Sequence, residues 1–192
     1  MIDRTSVGVT HQLNAAHAKQ IEKNKKRLVS IVKTVIFCGR QNIPLRGHRD
    51  DSTYERSEVN LGNFQELLKF WMDAGDDLLV DHLSTAPSNA TYRSKTTQNE
   101  IIDCCRDFII KRIVHSVKLS KIFAISCDEA TDVSNQFQLP LIIRYVDTAS
   151  LEVREHFISF LNLDSRPSGQ AISSAILEAV KDISLDISQC RY

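Results

Sequence analysis

The stretch from Phe123 to Asp147, "FAISCDEATDVSNQFQLPLIIRYVD", sets four carboxylates, Asp128, Glu129, Asp132 and Asp147, around two apolar runs. Carboxylate oxygens are hard ligands suited to Mg²⁺ or Mn²⁺, and ions so held activate water and clamp phosphate oxygens. The same pattern also spells a polar connection between two strands, because Asp, Ser and Asn bond readily to their own backbone. Asp128, closing the first run, is the candidate ligand, whereas Asp132, Ser134 and Asn135 are candidate turn formers. One carboxylate is not enough for two-metal chemistry, which needs several acids converging on ions about 4 Å apart. The spacing is not that of an EF-hand, which requires a glycine at the sharp turn and a distal glutamate.

A second candidate chemistry is phosphate binding. The formal net charge is zero, but Lys19 to Arg49 carries nine bases against one acid, and Asp50 to His82 carries nine acids against two bases. Lys23, Lys25, Lys26, Arg27, Arg46, His48 and Arg49 are the residues that would face nucleic acid. The alternative is that the acidic segment neutralises the basic one within the fold. His115 and His156 have no nucleophile in a G-x-S-x-G or comparable context, so no Ser-His-Asp or Cys-His arrangement is marked. Trp71 and Phe70 lie among helix-spaced apolar residues, which favours packing over base stacking. Five cysteines without a C-x-x-C spacing read as buried reduced thiols. With 42% apolar and 25% charged residues the composition is that of a globular protein. No apolar run spans a bilayer and Met1-Ile2-Asp3-Arg4 is not a signal peptide, so a nuclear or cytoplasmic location without membrane contact is expected.

The elements that must position these residues follow from periodicity. Gln12 to Cys38 has helical spacing, with Gly39 after it, and Arg40 to Ser52 reads as a loop. Asn63 is expected to cap a second helix that Gly75 kinks or divides, and Ser84 to Thr96 is a polar link. Thr97-Gln98-Asn99-Glu100 spells a capping box opening a third helix, to about Lys118, with Ile101, Ile102, Cys105, Phe108, Ile109, Ile113 and Val117 as its stripe. The period then changes to two: Lys121 to Asp128, Gln138 to Val146 and Glu152 to Leu161 read as an antiparallel meander. Ser168 caps a last helix striped by Ile172, Ile176 and Val180.

This order, an α+β chain with a helical N-terminal region (1–96) followed by a capped helix and three strands and a helix (97–192), is the opening of a ribonuclease-H-like fold. The β-β-β-α unit is incomplete, since a further strand is expected after the helix. The phrases "IVKTVIFCGRQNIPLRGHRDD", "GNFQELLKFWMDAGDDLL", "TTQNEIIDCCRDFII" and "FAISCDEATDVSNQFQLPLIIRYVD" resemble a hAT-transposase-derived family that includes zinc finger MYM-type proteins and the THAP-domain repressor of the inhibitor of the protein kinase. The resemblance implies that Asp128 matches the first acid of a DNA transposase triad, whose other acids are expected beyond Tyr192. It therefore implies a chain that is not an enzyme alone, that carries no cofactor, and that needs Mg²⁺ or Mn²⁺ only in an intact triad. The partners it implies are a second copy or related transposase-derived proteins, with DNA for full-length relatives. Protein interaction through the N-terminal helices and non-specific nucleic-acid binding through residues 19–49 stand as alternative functions.

Overall fold

The computed structural model describes residues 4–47, 60–128, 130–131, 137–163 and 167–191. It divides into two compact units, Met1–Cys105 and Arg106–Tyr192. In the first, helix α1 (Arg4–Arg40) is longer than its apolar periodicity predicts. Helices α2 (Asn63–Asp73) and α3 (Asp77–Thr85) part at Gly75, whose φ of 96° suits a residue without Cβ. Asn63 does not cap α2; it is the first helical residue, and its amide donates to the Pro44 carbonyl at 2.7 Å. The cap position falls to Gly62, at φ 97°, which packs backbone to backbone against Gly47. Asp76 caps α3 by accepting from the Leu79 N–H. Ile31, Val35, Phe64, Leu68 and Leu79 are buried where α1, α2 and α3 meet, joined by Leu28, Leu45 and Trp71. Phe70 faces solvent, contrary to its expected packing role, because it falls on the outer side of α2.

Helix α4 (Lys95–Ser120) runs through the boundary between the units. It starts two residues before the expected capping box, and Ser94 accepts from the Thr97 N–H at 3.1 Å. Its expected single stripe divides: Ile101 packs on the first core and Ile113, Val114 and Val117 on the second, leaving Phe108 and Ile109 exposed.

The second unit is a sheet with helices on one face. Strand β1 (Phe123–Cys127) pairs antiparallel with β3 (Phe137–Val146), from Phe123 opposite Tyr145 to Cys127 opposite Leu141. The short β2 (Ala130–Thr131) pairs with Gln138 and Phe137 on the same edge and in the same register. β1 and β2 thus pair along one edge of β3, and Pro140, which has no N–H to give a ladder, lies between the two stretches they pair with. β4 (Val153–Asn162) pairs with the other edge of β3, with a bulge beside Leu141 and Ile142. Leu139, Leu141, Ile143 and Tyr145 alternate inward, as a half-covered sheet requires. Leu141, Ile143 and Tyr145 pack with α4 and with Val180 of α5 (Gly169–Asp182), a helix capped, as its sequence predicts, by the Ser168 hydroxyl. After α5 the chain returns beside β1: Cys190 forms a parallel bridge with Phe123, and the Arg191 N–H donates to the Phe123 carbonyl at 2.8 Å. Burial of each large apolar side chain in these cores contributes about 1.5–3 kcal/mol. The expected α+β order of helical region, antiparallel three-strand meander and C-terminal helix is the observed one.

Candidate functional site

Asp128 follows the last residue of β1 and is exposed, on the β1–β2 line opposite Pro140. It therefore occupies a strand line rather than the connection leading to β3. Glu129, Asp132, Ser134 and Asn135 lie outside the described residues. Asp147 belongs to a turn: its carboxylate accepts from the backbone N–H groups of Ser150 (2.9 Å) and Ala149 (3.0 Å). Those bonds, the Ser150 one foremost, hold its pKa below the usual carboxylate value. Among the described residues no three His, Cys, Asp or Glu side chains come together as a metal-binding group. The described residues around Asp128 therefore do not by themselves fit a two-metal centre.

The basic segment separates into two kinds of residue. Lys19, Lys23, Lys25 and Lys26 are exposed on α1. Arg27, half-buried, donates to the Asp81 carboxylate of α3 at 2.6 Å. This hydrogen bond from Arg27 is the main cause that lowers the Asp81 pKa. Arg46 donates to the Lys95 carbonyl at 3.2 Å and to the Asn99 side chain, tying the loop after α1 to the start of α4. His48 and Arg49 lie outside the described residues.

Beside Arg27 lies a polar cluster that spacing does not mark. His82 is buried, stacks on Tyr92 at 5.7 Å and leaves its Nε2 without a hydrogen-bond partner among the described residues. Burial, then the nearby Arg27 charge, lowers its pKa from 6.5. Ser30 donates to the Asp76 carboxylate, so a second acid of the acidic segment is taken up by α1. The periodicity of α3 carries a trace of this, since His82 falls three residues after the buried Leu79. His156, without an evident partner in sequence, contacts the Tyr145 ring at 5.8 Å. Of the cysteines only Cys38 is buried; Cys104 is exposed, and the other three are partly covered, all as free thiols.

The family described as "ZMYM1/FAM200, RNase-like domain" matches residues 2–192. The protein named "52 kDa repressor of the inhibitor of the protein kinase" is similar in two organisms. The Homo sapiens protein is 34% identical over 140 residues, covering 73% of this chain and 18% of the relative. The Mus musculus protein is 32% identical over 140 residues, with the same coverage. The chain thus spans under a fifth of the length of these curated relatives. No solved structure matches the chain. No helix among the described residues is long and apolar enough to cross a membrane.

Proposed function

This chain belongs to the ZMYM1/FAM200 RNase-like domain family, and from that premise we propose that it is a nucleic-acid-handling domain descended from a hAT-like DNA transposase, without cleavage activity of its own. The observation that carries the reading is Asp128, exposed where the first strand of a β-β-β-α unit breaks off against β3. A carboxylate there directly follows a paired strand, a placement suited to an ancestral metal ligand. Cleavage by two metals needs further converging acids, and a single carboxylate leaves both ions under-coordinated. Purified protein incubated with labelled DNA and Mg²⁺ or Mn²⁺ is expected to leave the DNA intact. Nicking that vanishes in Asp128→Asn would overturn the inactive reading.

A second reading, as a protein-interaction domain, is supported by the outer face of β4. Phe157 and Phe160 lie opposite Ile142 and Pro140, on the face away from the buried Leu141 and Ile143, and their rings are 4.9 Å apart. Both are half exposed, and paired exposed aromatics are common anchors of protein contacts. Sedimentation across a dilution series separates the readings. Self-association that Phe157→Ser/Phe160→Ser abolishes favours the second, and a monomer at every concentration removes its self-pairing form.

A further inference from the structure

Directly opposed residues of an antiparallel pair share a face. Tyr145 and Ile143 are buried under the helices, so their partners Arg154 and His156 on β4 also lie on the helix-covered face. Alternation calls for apolar residues there. Instead the two side chains line a groove of about 300 Å³, and α4 adds Arg112 and Ser116 from its other wall. Phe108 stands at the same groove, 63% exposed, with the Arg112 guanidinium 6.0 Å from its ring centre.

The one acid lining the groove, Asp147, is held by its own turn through three donors and also feels the Arg154 charge, and Arg154 pairs with Glu152 at 2.7 Å; Arg112, by contrast, makes no ion pair among the described residues. Two exposed guanidinium groups from elements far apart in sequence thus line one small concavity together with the Ser116 hydroxyl. Such forks beside a hydroxyl suit an oxyanion. A larger groove of about 650 Å³ on another face of α4 mixes Arg106, Lys111 and Lys118 with Asp107 and Asp182 and has no aromatic ring in its lining.

We propose that the Arg112–Ser116–Arg154–His156 groove binds the phosphate backbone of a single-stranded nucleic acid, with Phe108 as a stacking platform for a neighbouring base. A cationic groove beside an exposed aromatic ring is the arrangement that holds single strands without sequence preference. The groove lies at the Phe123–Tyr145 end of the β1–β3 pair, and five residues of strand, about 17 Å at 3.3 Å per residue, separate it from Asp128. A strand seated there would extend toward Asp128 within a few nucleotides. The proposal rests on the nucleic-acid reading above but not on any chemistry at Asp128.

The test is fluorescence anisotropy of the full chain with a labelled oligothymidine across a NaCl series. Arg112→Glu/Arg154→Glu is expected to weaken binding at least about tenfold and to flatten the log–log salt slope by about 1.4, the share of two phosphate contacts on a single strand. Arg112→Lys/Arg154→Lys, which keeps the charge, should restore most of the affinity, and Arg112→Gln/Arg154→Gln serves if the reversed pair does not fold. Weaker binding in the groove variants alone speaks to the groove, whereas absence of binding by the parent speaks against the nucleic-acid reading itself, so the two failures are read apart. The proposal falls if the parent does not bind oligothymidine at the lowest salt. It falls too if Lys23→Glu/Lys26→Glu on α1 abolishes binding while the groove variants keep it. Tighter binding of labelled polyglutamate than of oligothymidine overturns it in favour of an acidic protein partner.

Discussion

Both compact units carry cations that face other elements, and they pair them to different extents. In the first, Arg27 of α1 meets Asp81 of α3, Ser30 meets Asp76, and Arg46 is spent on the start of α4. Part of the charge contrast between the basic and acidic segments is therefore consumed inside the helical unit, where it sets how α1 lies on α3. In the second, Arg112 and Arg154 come from α4 and β4 and share a groove in which Arg154 meets Glu152 while Arg112 makes no ion pair among the described residues. The charge of a segment says little about binding. What matters is whether the fold brings an opposite charge to the same place.

The largest test of this contrast is whether the two cores behave as separate structures. Phe64→Ala in the first core and Phe123→Ala in the second, at 1% and 2% exposure, should each cost about 3–5 kcal/mol in chemical denaturation. Each is expected to shift its own transition; one common transition moved equally by both would merge the units.

Backbone strain comes next. Gly62→Ala should cost about 1–3 kcal/mol, since φ is 97° and a Cβ would lie 2.6 Å from the Gly47 nitrogen. Gly75→Ala, at a similar φ but with open space around it, should cost only the left-handed penalty of about 1–2 kcal/mol. Equal thermal shifts for the two variants would show that the Gly47–Gly62 approach contributes nothing.

Helix caps compare the units at a smaller scale. Removing either Asp76 or Ser168 by alanine should cost about 0.5–2 kcal/mol, measured by thermal unfolding. Asp76→Ala is expected at the upper end because its carboxylate also accepts the Ser30 hydroxyl. A larger loss from Ser168→Ala would deny the α1–α3 link its importance.

The smallest effect is a pH dependence read in the first unit. His82 binds its proton more weakly folded than unfolded, so the unfolded chain takes up more protons once pH falls below about 6.5, and stability declines there. Asp81 has a depressed pKa, so its contribution is present above 3.8 and is lost as pH falls below that value. His82→Gln should flatten the first decline and leave the second. An unchanged profile in urea titrations from neutral to mildly acid pH would place the His82 ring in water.

Local chemistry was legible wherever neighbours along the chain decide the outcome. The division at Gly75, the Ser168 cap, the change from helical to alternating period after Ser120 and the inward set of β3 all follow from dihedral freedom, side-chain bonds to nearby amides and the two-residue strand repeat. Helix starts at Asn63 and Thr97 were misplaced by one or two residues because several polar residues there compete for the same amides, and packing against Pro44 or Ser94 settles the choice. Asp128 was visible as a strand-end acid, and Pro140 carried in sequence the reason for the break beside it.

What sequence alone determined was each element's kind and which of its faces turns inward. Tertiary structure alone decided which charges meet: that Arg27 would find Asp81, 54 residues away, and that Arg112 and Arg154 would share a groove. Periodicity is a property of adjacent residues, whereas a Coulomb interaction depends on distance through space, which no local pattern encodes.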